Sequence, residues 1–199
     1  MKKDATVIGL VGAAHAASHL LQLCLPPLFA LMREELGVSY STLGVVVMVF
    51  FTASAVLQPV AGFLVDRIGG RDVLIGGVAL MVAGTVVASL AGGITFLVLG
   101  ALIMGIGNSV FHPADYSILN ASVDARRIGR GYSVHSVSGN LGWAVAPTVV
   151  FALTAHFGWR VALVTVGGLG LVMAGVLATQ AHLFATARSA GRSRTATDL

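Results

Sequence analysis

The chain has 199 residues, of which 56% are hydrophobic and only 10% charged, with a formal net charge of +4. Soluble domains carry about 25% charged residues, so the composition excludes a water-soluble globule and points to an integral membrane protein. The isoelectric point near 9.8 does not indicate nucleic acid, because the basic residues are scattered and no aromatic platform interleaves them.

A hydrocarbon core of about 30 Å takes roughly 20 helical residues to cross. Six spans are predicted on that basis: Ala5–Met32, Ser41–Val65, Val73–Ala91, Ile94–Asn120, Gly131–Ala155 and Arg160–Phe184. Such continuous apolar runs do not fit the alternating strands of a β-barrel. The chain opens "MKKDATVIGLVGAAHAAS", with the basic start and short apolar core of a secretory leader. The run continues to Met32, longer than a leader core requires, and is read as a span. Cys24 stands alone in that run, which leaves no disulfide or thiolate metal framework.

The loops carry most of the charge, and its distribution is uneven. With the N-terminus inside, the inner side holds Lys2, Lys3, Arg67, Arg71, Arg126, Arg127, Arg130, Arg188, Arg192 and Arg194, and the outer side only Arg33 and Arg160. That asymmetry predicts cytoplasmic termini in a plasma (bacterial inner) membrane. Residues 1–185 are expected to form one bundle, and 186–199 a disordered basic tail that touches lipid headgroups.

Two stretches repeat. "RIGGRDVLIGGVAL" and "HFGWRVALVTVGGL" align at an offset of 89 residues, matching Gly69 with Gly158, Arg71 with Arg160, Leu74 with Leu163 and Leu80 with Leu169. Each opens the third helix of a three-helix set. Three is odd, so the copies 1–91 and 94–185 are expected to be inverted repeats of a transporter half.

The charged knot "GFLVDRIGGRD" lies between the second and third spans. Its Gly62, Asp66, Arg67, Gly69 and Arg71 match the signature loop of the major facilitator superfamily, and Asp72 departs at the final basic place. The stretch "NSVFHPADYSILNASVDARRIGRGYSVHSVSGNLGWAVAP" is similar to the fosmidomycin-resistance-like branch of that superfamily. The resemblance implies the N-terminal half of a twelve-helix carrier working by alternating access, with this knot as a latch on the cytoplasmic side. A second six-helix bundle, in the same or another chain, is the implied partner. From the residues alone, Gly62 is expected to admit a neighbouring helix closely, and Asp66 to face a helix N-terminus. A tight-turn anchor is the plainer reading of Arg67 and Arg71. The family's fourth-helix arginine is replaced by Ala101, so the partner the resemblance implies for Asp66 is either missing or supplied by Arg126, Arg127 or Arg130, and the complete charge relay is not carried over.

Polar groups inside a membrane are costly and therefore informative. On the first span His15, His19 and Gln22 share one face, and on the fourth Asn108, His112 and Asp115 do the same. His135 and Asn140 on the fifth are roughly 140° apart around the helix, so at most one faces a cavity. The second span adds Gln58. These residues predict a midplane substrate site of His15, His19, Gln22, Asn108 and Gln58. Beneath it His112, Asp115 and His135 form a proton-coupling group, with His112 and Asp115 as the responsive pair. Interhelical hydrogen bonding by His15 and His19, and a kink at Pro113, are the competing readings. No third metal ligand lies in sequence range of His112 and Asp115, so neither metal nor cofactor is expected.

Ser138, Gly142 and Ala146 form a small-residue packing face on the fifth span. With Pro147, Gly142 and Ala146 also resemble part of the superfamily's antiporter motif, and Ser133 and Val150 depart from its flanking glycines. That partial match tilts the expected direction toward export. No phosphate loop and no activated nucleophile is present, so an enzyme is not expected. The two functional readings are proton-coupled transport of a small molecule and a non-transporting membrane module or half-size subunit.

Overall fold

The computed structural model describes residues 2–184, and among them every regular element is helical. In chain order these are α1 (Lys2–Gln22), a 3₁₀ turn (Pro26–Leu28), α2 (Phe29–Leu36), α3 (Tyr40–Ile68), α4 (Gly70–Ser89), α5 (Ile94–Asn108), α6 (Phe111–Ser122), α7 (Ile128–Thr179) and a closing 3₁₀ turn (Ala181–Leu183). Five helical stretches are long and apolar enough to cross a membrane: Lys2–Leu36, Tyr40–Ile68, Gly70–Ser89, Ile94–Ser122 and Ile128–Thr179. The expected basic tail lies outside the described residues.

The departures from the six expected spans have local causes. The first span is not one rod: Pro26 and Pro27 donate no N–H, and the chain passes through the 3₁₀ turn before α2 resumes. The fourth is interrupted between α5 and α6, where Pro113 leaves the Ser109 carbonyl without its i+4 donor. The fifth and sixth are the two helical arms of α7, which meet at non-helical backbone at Gly158 (φ 78°, ψ 161°). Gly69, its match in the repeated stretch, joins α3 to α4 with φ 97° and ψ 149°. This left-handed region suits glycine, which has no Cβ to clash.

The two arms of α7 flanking Gly158 have different neighbours. On the first arm, Gly139 lies against His15 and His19, Gly142 against Ala16, and Val134 and Ser138 against Gly12. Numbers rise together, so this arm runs parallel to α1. On the second arm, Arg160 donates to the Ala91 carbonyl at 2.7 Å, Gly167 lies by Thr85 and Gly170 by Val82. Numbers run opposite, so this arm is antiparallel to α4. Gly70 at the start of α4 packs on Ala114 and Ile118, and Arg127 just beyond α6 pairs with Asp4 of α1 at 2.9 Å. α1 and α4 therefore start at the same end of the bundle, and the arms of α7 run in opposite directions.

The tightest seam joins α4 to α5. A Cβ added at Gly84 would lie 2.6 Å from the Gly100 carbonyl oxygen, and one at Gly100 2.6 Å from that of Gly84. One turn-pair away, a Cβ at Gly107 would lie 2.6 Å from the Gly77 oxygen. Without a hydrophobic drive between helices in lipid, such close backbone contact is what joins them. At the far end of the bundle Glu35 of α2 accepts from Trp159 and pairs with Arg160, which ties α2 and the α4–α5 connection to the break in α7.

Candidate functional site

The packing of α1 beside the first arm of α7 brings together residues far apart in sequence. Gly139 and Gly142 let α7 approach so closely that an added Cβ at Gly142 would strike the Ala16 carbonyl. That approach places His135 face to face with His15, ring centroids 3.7 Å apart and planes 20° apart. His19 lies 4.3 Å beyond His15, and Trp143 stacks on His19 at 4.6 Å. From α6, His112 comes within 5.2 Å of His15 and 5.7 Å of His135. Four imidazoles from three helices thus form one group, with Trp143 as its outer ring.

Asp115 sits behind these rings and is fully buried. Its Oδ2 is hydrogen-bonded with His135 Nε2 at 3.0 Å, and His15 Nδ1 lies 3.4 Å from the same oxygen. Asp115 Oδ1 and His15 Nδ1 have no hydrogen-bond partner among the described residues. Of the pair expected from spacing, His112 and Asp115, the carboxylate makes its close contacts to His135 and His15. The buried carboxylate faces His135 and His15, while His112, three residues earlier on the same helix, lines the cavity.

A cavity of about 240 Å³ opens in front of the group, lined by His15, Ser18, His19, Gln22, Phe51, Asn108, Phe111, His112 and Trp143. Four of the five expected substrate residues line it. Gln58 does not; it is half-buried further along α3. His135 is buried and Asn140 exposed, so one of that pair turns inward, as the helical angle required. The sequence reading missed Trp143, whose indole N–H donates to Gln22 Oε1 at 3.1 Å. It also missed Ser54, which meets the Asn108 amide at 2.8 Å. An exposed aromatic one turn from a small-residue face carries no signal until its neighbour helix is known.

Several proton positions follow from the partners. The Gly139 carbonyl can only accept, so His19 Nδ1, 2.9 Å away, carries its hydrogen. His135 Nε2 and Asp115 Oδ2 share one hydrogen across their 3.0 Å contact. The neutral ring of His19 then offers a lone pair at Nε2. The third nitrogen-bearing residue that the sequence could not locate beside His112 is supplied by folding, since donor atoms of His15, His112 and His135 all lie within 4.8 Å. A metal sits in the plane of each imidazole that binds it. The face-to-face stacking of His15 on His135 gives those two rings no shared in-plane point, so the geometry does not form a ligand set.

The charged knot presents differently. Asp66 and Arg67 are exposed, and Asp66 makes no ion pair among the described residues. Arg71 pairs with the adjacent Asp72 at 2.7 Å. A Cβ at Gly62 would meet nothing within 4 Å, so the close approach expected there is not made to any described helix of this chain. The small face of α7 does pack: Ser138 abuts Gly12, Gly142 abuts Ala16, and Ala146 is fully buried, with Pro147 half-buried beside it.

Comparison with known proteins places these features. Residues 11–197 match the family model described as Major Facilitator Superfamily. The fosmidomycin resistance protein of Escherichia coli is 27% identical over 152 residues, 76% of this chain and 37% of that protein. The "Probable L-galactonate transporter" of Escherichia coli is 30% identical over 143 residues, covering 72% of this chain and 32% of its own length. The "Probable sulfoacetate transporter SauU" of Cupriavidus necator is 30% identical over 141 residues, covering 71% and 33%. The chain spans about a third of the length of these curated relatives. A helical membrane chain with a buried histidine–aspartate group, matched over nearly all its length, belongs to the Major Facilitator Superfamily.

Proposed function

We propose that this chain forms one six-helix half of a secondary transporter, which moves a small molecule by alternating access in exchange for protons. The observation that carries the reading is Asp115, a fully buried carboxylate held by imidazoles at the back of an open cavity. An unsolvated carboxylate in apolar surroundings is costly, and a proton shared with His135 and His15 offsets that cost. Occupation of the cavity by substrate then changes how firmly the proton is held, which is what coupling requires. His15, which lines the cavity and lies 3.4 Å from the carboxylate, stands between the two.

Two features support six crossings in two inverted three-helix repeats. The arms of α7 run in opposite directions, and the matched glycines Gly69 and Gly158 share an uncommon backbone conformation. Positive charge concentrated at the end bearing Asp4 and Arg127 favours that end as cytoplasmic. The latch residues Gly62, Asp66, Arg67, Gly69 and Arg71 lie there. The open position at Gly62 and the exposed Asp66 suit contact with a second bundle, for which the relatives' greater length leaves room. Gly142, Ala146 and Pro147, the partial antiporter motif, favour export.

The test is flux in proteoliposomes, with and without a proton gradient, using the chain alone and together with a candidate second bundle. Gradient-dependent flux that disappears in Asp115→Asn supports the reading. Absence of flux in every combination, with a monomeric particle in detergent, supports a non-transporting module instead.

A further inference from the structure

The cavity also constrains what it accepts. Among the described residues no Lys, Arg or Glu lines it, and the carboxylate nearest to it is Asp115 behind the rings. His135 of α7 and His15 of α1 face this carboxylate directly, and His19 of α1, His112 and Tyr116 of α6 and Tyr132 of α7 surround them through ring contacts. α3, α4 and α5 contribute none to it among the described residues.

One proton suffices to neutralise this group, because it contains one carboxylate. An anion in the cavity would require a second proton on rings only 3.7–5.7 Å from the first, where like charges oppose each other at low dielectric. A cation requires only that the first proton leave. His19 already presents a lone pair at Nε2; when the proton leaves, Asp115 supplies an uncompensated negative charge behind a lining that includes the aromatic rings of Trp143, Phe51 and Phe111, and aromatic rings attract cations.

We infer that the solute is a small monovalent organic cation, bound at the His19–Trp143 end of the cavity in one-for-one exchange with the proton shared by Asp115, His135 and His15. This rests on the transport reading above and adds the substrate class and the stoichiometry. The exchange conserves charge: one cation enters the site as one proton departs to solvent. No covalent bond is made or broken except the N–H or O–H that releases that proton.

The experiment uses the full chain in detergent or nanodiscs with benzyltrimethylammonium, whose charge does not titrate, and benzenesulfonate as the anionic counterpart. Binding is measured by calorimetry in two buffers of different ionisation enthalpy, from pH 5.5 to 8. The expected result is ammonium binding that tightens about tenfold per pH unit while the group is protonated, with one proton released. Asp115→Asn should lose both the pH slope and the proton release. Trp143→Ala should weaken binding and keep the slope. Asn140→Ala, on the exposed face, should change neither.

Sulfonate binding that weakens as pH rises would overturn the inference in favour of an anion. Ammonium binding without proton release, or no ammonium binding at any pH, would overturn it as well. If Asp115→Asn fails to fold, His135→Gln with the same calorimetric readout takes its place. Failure of the transport reading looks different: cation binding with proton release, and no flux in liposomes. Gradient-driven flux of an uncharged or anionic solute, unaffected by the ammonium, would remove the substrate class and leave transport standing.

Discussion

Two helix seams in this molecule are built from the same small residues and end differently. Along α4 and α5, Gly77 and Gly84 face Gly107 and Gly100, and the backbones meet with nothing between them. Along α1 and the first arm of α7, Gly12, Gly139 and Gly142 also bring the helices close, but His15, His19 and His135 share the line of contact. The first seam is dry and closed. The second holds stacked rings, leaves His15 Nδ1 and Asp115 Oδ1 without hydrogen-bond partners among the described residues and opens into a cavity. Close approach by glycine is thus a means of attachment in one place and a means of forcing titratable rings together in the other.

The largest expected effect comes from closing the dry seam's gap. Gly84→Val should cost about 3 kcal/mol through overpacking against backbone that no rotamer can avoid. A thermal unfolding series in detergent would show it as a loss of folded particle. Gly92→Val, where an added Cβ meets nothing within 4 Å, is the matched control and should leave the melting temperature nearly unchanged. Equal effects at both positions would remove the distinction between the seams.

Next is the wet seam's charge. Asp115→Asn should reduce gradient-driven flux at least tenfold while leaving folding intact, because it removes a fully buried ionisable group without changing its shape. A collapse of the fold in this variant would mean that the carboxylate is structural. A smaller effect is expected of Gly139→Ala, whose new methyl would lie 2.6 Å from the His15 ring. Here the obstacle is a side chain that can move, so stability should fall less than for Gly84→Val while flux falls more. Reversal of that order would show that the His15–His135 stack contributes to stability and not to coupling.

The smallest effects are at the cavity mouth and the latch. Trp143→Phe keeps a ring over His19 and loses the hydrogen bond to Gln22, worth about 1 kcal/mol. Solute affinity measured by competition should drop about fivefold. Gly62→Ala should leave the melting temperature of this chain unchanged, since no described helix approaches it. It should slow flux only when a second bundle is present, which separates a latch from a simple turn.

Much of this was legible in the chain itself. Apolar run length and the scarcity of charge determined a helical membrane protein, because a backbone without water must satisfy its own hydrogen bonds. The i, i+4, i+7 spacing of His15, His19 and Gln22 determined that they share a face, and four of the five expected substrate residues do line one cavity. The matched glycines in the two repeated stretches marked Gly69 and Gly158, both of which adopt a backbone open chiefly to glycine. Tertiary structure alone decided which helix meets which. That choice gave Asp115 to His135 and His15 instead of His112, left Gln58 outside the cavity, and set Trp143 on His19. Spacing along one helix fixes only an angle about its own axis. The distance between side chains on different helices depends on how near their backbones come, and here glycines facing backbone atoms across the seams set that distance.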